Sequence, residues 1–461
     1  MPSQNVGSLK RNQMLFNPHI LLREAARSST LAYSDDMSSV SEDVLVIPDS
    51  VVSDIYLHVN AETGFINKLT TMEANPLYRD IPIEITYDDW SLESNGMVFP
   101  AMVKMYTLER KDMVWMEERS MVDVGLTFDA GHFDLPADVT QPVDPAAYAF
   151  GMQEHNAVEA FLHLGFSFAL DNEMAYAQNP EVAPGVYFMA SPVNNAVLVN
   201  TDEGAIVIES GSTVEQADRL IMVINEIIGA DKQVTHIVSS HHHQDHSASL
   251  RHLLGTYDSA NLVVGHGVKG FWEEVLAAPS DIRPDALSGK AFSADVVEVD
   301  TLGSVTLVDT GVHKVTAIHT DRDPHGEDAM IIKVESNGST FVVEGDMYNA
   351  GFGFTLVVDG PLSFYDAMRD NEIIDCACQS LVGNLSIIPI HGSVLTLDES
   401  LEELSGLGID VGCKPVSCIE DGGGDDGDDG DDGDDDASRS KLGELMVSVT
   451  FGTFIALTVG Y

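Results

Sequence analysis

Basic residues are scarce in this chain. Only 23 Lys plus Arg stand against 74 Asp plus Glu among 461 residues, a formal charge of −51. A phosphate-neutralising surface needs clustered Lys and Arg, so direct nucleic-acid binding is not expected. Cysteine is scarce too: Cys376, Cys378, Cys413 and Cys418 are too few for a disulfide scaffold. They form a C-x-C and a C-x4-C pair, open to a late disulfide or to free thiols. Neither has zinc-knuckle spacing, so structural or free cysteines are the expectation. The start of the chain has no continuous apolar core of the kind a cleaved secretory signal needs, because Asn17, Pro18 and His19 interrupt it.

Long apolar runs are lacking, with one exception. Leu445–Tyr461 carries no charge, but seventeen residues at ~1.5 Å each give roughly 25 Å, short of a ~30 Å hydrocarbon core. Ser448, Thr450, Thr453 and Thr458 weaken it further. Membrane attachment through this segment, as a tail anchor or a lipid-anchor signal, stands beside a plain β-rich peptide. Before it, residues 420–436 hold Glu420 and ten Asp without a base; the rest of the chain keeps 63 acids against 23 bases, or −40. The run lacks the twelve-residue spacing and closing Glu of an EF-hand, so it reads as an acidic linker that attracts calcium loosely. Residues 1–34 reverse the bias, with Lys10, Arg11, Arg23 and Arg27 against Glu24 alone, and residues 1–40 read as a disordered or targeting segment.

Between the ends, 44% hydrophobic residues are too many for general disorder. Residues 41–178 read as a β-rich domain with short β-branched or aromatic runs, turns such as Ser94-Asn95-Gly96, and a helix at Ala147–Phe166. Residues 182–412 alternate buried-type strands with helical patterns at Thr213–Ile228 and Ala248–Leu254, which predicts a layered α/β domain. An acidic linker (413–444) and the apolar segment (445–461) follow.

The chemistry concentrates in Ser239-Ser240-His241-His242-His243-Gln244-Asp245-His246, directly after a buried strand. In a loop leaving a strand, His241 and His243 can point one way with His242 opposed, while Asp245 and His246 reach a second point. His325, Asp346 and His391 each stand where a later apolar strand ends, the place where an α/β fold sets its ligands. A single strand-end histidine is usually a surface residue. Four potential ligands within six residues, followed by three more at strand ends, predict a metal site. His319 is the competitor to His325, which spacing favours. His266, His319, Tyr348 and Asn349 are candidate pocket residues, and His236 and His313 read as structural.

These residues resemble the metallo-β-lactamase superfamily: His241-x-His243-x-Asp245-His246 is similar to its signature loop, and His325, Asp346 and His391 to its later ligand motifs. The likeness covers roughly residues 182–395. Ala205–Gly211 resembles the strand ending in an Asp-Thr-Gly-like turn, with Glu209 where an Asp is common. Upstream, Asn75–Glu84 and Gly96–Pro100 look like segments of uncharacterised members with an added β-rich domain. The resemblance implies a four-layer αββα sandwich behind a smaller β-rich domain. It also implies two divalent ions, expected to be zinc with iron or manganese as alternatives. His241, His243 and His325 would take one ion, Asp245, His246 and His391 the second, and Asp346 both. No Cys falls in the set.

A hydroxide between two such ions is a strong nucleophile near neutral pH, and Asp245 is the candidate to orient it and pass a proton. The expectation is a hydrolase acting on a small ester, thioester, lactone or amide. The alternatives are an iron-dependent oxidoreductase of the same fold, sulfur dioxygenase-like, and a non-catalytic surface metal-binding protein. Fold does not fix substrate, and compartment and oligomeric state stay open.

Overall fold

The computed structural model describes residues 14–27, 30–48, 53–75, 79–107, 112–122, 176–191, 194–229, 232–282, 284–320, 326–351 and 360–413. The helix read at Ala147–Phe166, His325, Cys418 and the segments 420–436 and 445–461 lie outside them. Among the described residues no helix is long and apolar enough to cross a membrane.

The first half forms one antiparallel meander of seven strands in chain order: β1 (Ala32–Tyr33), β2 (Glu42–Ile47), β3 (Ile55–Asn60), β4 (Ile66–Asn75), β5 (Arg79–Ser94), β6 (Met97–Thr107) and β7 (Asp112–Glu118). Period-2 side chains explain its packing: along β5, Ile83, Ile85 and Tyr87 are buried while Glu84 and Thr86 are half-exposed. Asn95 and Gly96 both adopt positive φ, 53° and 75°, as a two-residue hairpin requires. The inner face is covered by α1 (Pro18–Arg27) and the turn before it, with Leu15, Leu21 and Ala25 in the same core as Ile55, Leu57, Ile85 and Val103. Residues 14–27, part of the stretch read as disordered or targeting, are therefore ordered against the sheet. The apolar side of 14–27 gains more by covering a sheet face than its few basic residues lose.

The second half is a four-layer αββα sandwich. One sheet has the order β14-β13-β12-β11-β10-β9-β8, from β8 (Glu181–Ala183), β9 (Val186–Met189), β10 (Ala196–Thr201), β11 (Gly204–Ile208), β12 (Val234–Val238), β13 (Asn261–Val264) and β14 (Val296–Glu298). Strands β11 to β14 run parallel. The other sheet follows chain order through β15 (Ser304–Asp309), β16 (His313–His319), β17 (Met330–Ser336), β18 (Ser339–Glu344), β19 (Asn384–Pro389) and β20 (Leu395–Thr396).

Between the sheets lies a core including Val197, Val199, Ile206, Ile208, Val315, Ile332, Val343 and Ile388. Helices α2 (Val214–Ile228), α3 (Gln244–Ser247), α4 (Leu250–Thr256) and α5 (Lys269–Ala277) follow the first sheet's strands, and α2, α4 and α5 cover its outer face. Helices α6 (Gly360–Asp370) and α7 (Leu397–Gly406) cover the second sheet. Helix α2 starts where the Thr213 side chain accepts from the Gln216 amide, satisfying a donor the helix end leaves open. Along it, Ala217, Leu220 and Ile224 face the core at helical spacing.

Two ties hold distant segments. Arg79 reaches from the first sheet into the sandwich, where its guanidinium meets the Ser280 hydroxyl and Asp285 Oδ2 at 3.3 Å; Arg251 Nε lies 2.9 Å from the same oxygen. The Asp285 side chain is fully enclosed. Cys378 and Cys413 form a disulfide across 35 residues, while Cys376 stays outside it.

Candidate metal centre

The site lies where strands of both sheets end along one edge of the sandwich. After β12, the chain turns through Ser239–His243 into the short α3, which carries Asp245 and His246. After β18 comes Gly345-Asp346, and after β19 comes Ile390-His391. Each ligand side chain is therefore presented by a loop whose base is pinned in a ladder. The loops sit very close: a Cβ on Gly345 would lie 2.1 Å from Ser240 Oγ, so only glycine allows that approach. Asp346 holds φ 89° and Glu209 φ 73°, left-handed conformations that cost about 1–3 kcal/mol at a non-glycine residue and concentrate at functional sites.

Donor atoms gather in two groups that share Asp346: Asp245, His246, Asp346 and His391 in one, and His241, His243 and Asp346 in the other. In the first, His391 Nε2 lies 3.2 Å from His246 Nε2, 3.1 Å from Asp245 Oδ2 and 3.3 Å from Asp346 Oδ1. His246 Nε2 is 3.2 Å from Asp346 Oδ1 and 3.6 Å from Asp245 Oδ2. Four tetrahedral bonds of ~2.0–2.1 Å set their donor atoms roughly 3.3–3.4 Å apart, so the spacing fits a small divalent ion. In the second group His241 Nε2 is 3.7 Å from Asp346 Oδ2.

The nitrogens turned away from these points are held in place. His241 Nδ1 meets Ser240 Oγ at 3.1 Å. His246 Nδ1 lies 3.2 Å from Glu209 Oε2, while Glu209 Oε1 accepts from the Ser240 amide at 2.9 Å. Glu209 thus joins the two halves of the loop from a fully buried position. A carboxylate behind a ligand imidazole fixes the ring and raises its basicity.

The electrostatics follow from crowding. Burial alone would lower the His391 imidazole, but Asp346 and the bond to Asp245 outweigh it and push it up to about 9. His246 is likewise raised well above its ordinary value, against burial, by Asp346, Asp245 and Glu209. Burial and the neighbouring His246 hold His241 well below its ordinary value. Asp245 is lowered although burial opposes this, because His246 and His391 stabilise its charge. Asp245, Asp346 and Glu209 thus set negative charge against the imidazoles, and the same field would favour a bound cation.

The remaining candidates separate. His242 turns away, with Nδ1 2.8 Å from the buried Asp328 and its ring edge-on to Phe271. His319 uses both ring nitrogens on the backbone: Nδ1 accepts from the Leu302 amide at 3.2 Å and Nε2 donates to the Glu327 carbonyl at 2.9 Å. No ring nitrogen remains for an ion. His266 is exposed and pairs with Glu298 at 3.2 Å. Tyr348 is buried, and its hydroxyl donates to Glu403 at 2.6 Å beneath α7. Asn349 is buried, and neither polar atom of its side chain has a partner among the described residues. Sequence reasoning missed Asn194 and Asn195, whose polar side chains are buried beside the site. Two adjacent asparagines just before an apolar strand were the available signal.

The sequence model of the Metallo-beta-lactamase superfamily matches residues 192–327. No curated protein matches the chain significantly. Among solved structures, the MIM-2 metallo-beta-lactamase is 17% identical with a TM-score of 0.36, over 56% of this chain and 96% of that one. A Cronobacter sakazakii metallo-beta-lactamase with a HARLDQ motif is 16% identical, TM-score 0.32, over 52% and 90%. An archaeal metallo-beta-lactamase superfamily protein from Sulfolobus tokodaii is 18% identical, TM-score 0.32, over 50% and 84%. Likenesses this distant say nothing of substrate. The matched segment, which opens the αββα sandwich and supplies the His241–His246 ligand loop, is similar to the metallo-beta-lactamase superfamily.

Proposed function

We propose that this chain is a hydrolase dependent on two divalent ions, zinc before iron or manganese, acting on a small ester, thioester, lactone or amide. The observation that carries the reading is the set Asp245, His246, Asp346 and His391, buried except for the partly exposed Asp245, whose donor atoms lie 3.1–3.6 Å apart in the pairs measured. All are nitrogen or hard oxygen donors, which suit zinc, and none is a thiolate. His241 and His243 would hold the other ion with His325, and Asp346 would serve both. Bound ions would supply Lewis acidity and a water acidified toward neutral pH.

The chain's own groups do the rest. Asp245 keeps its carboxyl ionised, and its side chain is about a fifth exposed, more than any other in its group. In this reading it accepts a proton from an attacking water and returns it to a leaving group. Ser240 and Glu209 fix the imidazole orientations from behind. An uncharged carbonyl substrate suits a chain of −51; a polyanion would be repelled.

The test is metal analysis of protein purified without added metal, followed by an ester, thioester, lactone and amide panel. About two zinc per chain, and turnover lost in Asp245→Ala, is the expected result. Stoichiometric iron with a visible absorption band would overturn the zinc hydrolase in favour of redox chemistry.

A further inference from the structure

We infer that the adjacent pair Asn194-Asn195 positions the second ion subsite, the one built from Asp245, His246 and His391; the inference rests on the function proposed above. Both side chains are essentially enclosed, at 0% and 1% exposure. They stand at the foot of β10 in the first sheet, yet their hydrogen bonds go to ligand loops.

Asn195 binds the turn that carries His391, which belongs to the second sheet. Its backbone N–H donates to the Ile390 carbonyl at 2.7 Å. Its side-chain Nδ2 donates to the carbonyls of Pro389 at 3.2 Å and Gly392 at 3.0 Å, and Oδ1 accepts from the Ser191 amide at 3.2 Å. The carbonyls of 389, 390 and 392 are thus all tied to one residue, and they bracket the Cα of His391. Gly392, at φ 128°, passes so close to the Ala350 carbonyl that a Cβ would sit 2.1 Å from it. The turn has no slack on that side.

Asn194 serves the other ligand loop. Its Nδ2 donates to the Asp245 carbonyl at 2.5 Å, and Ser212 Oγ contacts both that carbonyl at 3.3 Å and Asn194 Oδ1 at 3.4 Å. One dipeptide therefore sets the distance between Asp245 and His391, residues of different sheets whose side chains meet at 3.1 Å. Neither asparagine is within the other group, His241, His243 and Asp346, so their effect should fall on one subsite. An amide is the group this needs: Nδ2 carries two N–H bonds for two carbonyls, whereas a carboxylate at 195 would face those carbonyls with no donor.

The test titrates metal-stripped full-length protein with Zn(II) by calorimetry, and repeats the titration with Co(II) while recording its visible spectrum. Wild type is expected to take up two ions. Asn195→Ala and Asn195→Asp should keep the first ion at wild-type affinity and bind the second at least tenfold more weakly, with half the four-coordinate cobalt absorption lost. Circular dichroism of the metal-free variants should match wild type. Asn194→Ala should act in the same direction and stands in if the 195 variants do not fold. Two ions at wild-type affinity in these variants would overturn the positioning role alone. Equal weakening of both ions would overturn it too, because that is the mark of a merely structural residue. A wild-type chain that takes up no second ion would overturn the proposed function first, and the inference with it.

Discussion

Gly345 leaves the two ligand loops no room between them, since any Cβ there would lie 2.1 Å from Ser240 Oγ and 3.2 Å from His241 Nδ1. Gly345→Ala should therefore swing His241 off its point. A 10–100-fold loss of metal affinity is expected, the usual range when a group behind a ligand is disturbed, with circular dichroism unchanged; full retention of metal would refute the close-approach argument. The histidines predict a pH effect. His391 is raised from 6.5 to about 9 in the metal-free protein. Its protonated form stabilises the fold fully below 6.5, and that stability is lost as pH rises through about 9. The Tm of metal-free protein should fall from pH 6.5 to 9.5, and that of metal-loaded protein should not, because ions need the neutral imidazole. A metal-free Tm that rises over that range would contradict the sign.

At this scale Asp346 and His391 were legible as candidates because each is a polar residue just past an apolar strand. The supporting asparagines were not, because nothing in Pro192-Val193-Asn194-Asn195 says which carbonyl, nearly 200 residues on, will need a donor.

Helices were legible where their own periodicity carried them. The pattern over Thr213–Ile228 predicts α2, found at Val214–Ile228 with Thr213 as its cap; the pattern over Ala248–Leu254 is found two residues later, as Leu250–Thr256. Helix α1 was missed for a physical reason. Its stripe is short, and the face it covers belongs to strands from Ile55 to Met105, so local composition showed only an acid-poor tail. The cysteines were left open between disulfide and thiol, and the fold brings Cys378 and Cys413 to a Cα separation of 5.4 Å. That bond closes a loop holding β19, His391, β20 and α7. A loop of 35 residues is stabilised by about 3–4 kcal/mol through lost unfolded-state entropy. Cys378→Ser and Cys413→Ser should each lower urea stability by roughly that amount without reductant, and equal midpoints in all three proteins would show that the bond does not form.

Across the whole molecule, the two halves meet at a buried ionic contact. Arg79 and Arg251 share Asp285 Oδ2, and the Asp80 carboxylate accepts from the Asp281 amide at 2.6 Å. Arg79→Ala removes one cation but leaves Asp285 paired with Arg251. A loss of about 1–3 kcal/mol is expected, the range for charged hydrogen bonds. Calorimetry should then separate one melting transition into two; an unchanged single transition would mean that Arg79 does not couple the halves.

The sequence by itself determined the candidate ligand types, a layered α/β second half and the scarcity of positive charge, because residue type and periodicity are local properties of the chain. Tertiary structure alone decided which donors meet. His246 and His391 are 145 residues apart, Asn195 and Gly392 197, and Arg79 and Ser280 201. Contacts of that span depend on two sheets closing on a shared core, and no local pattern encodes the distance at which they close.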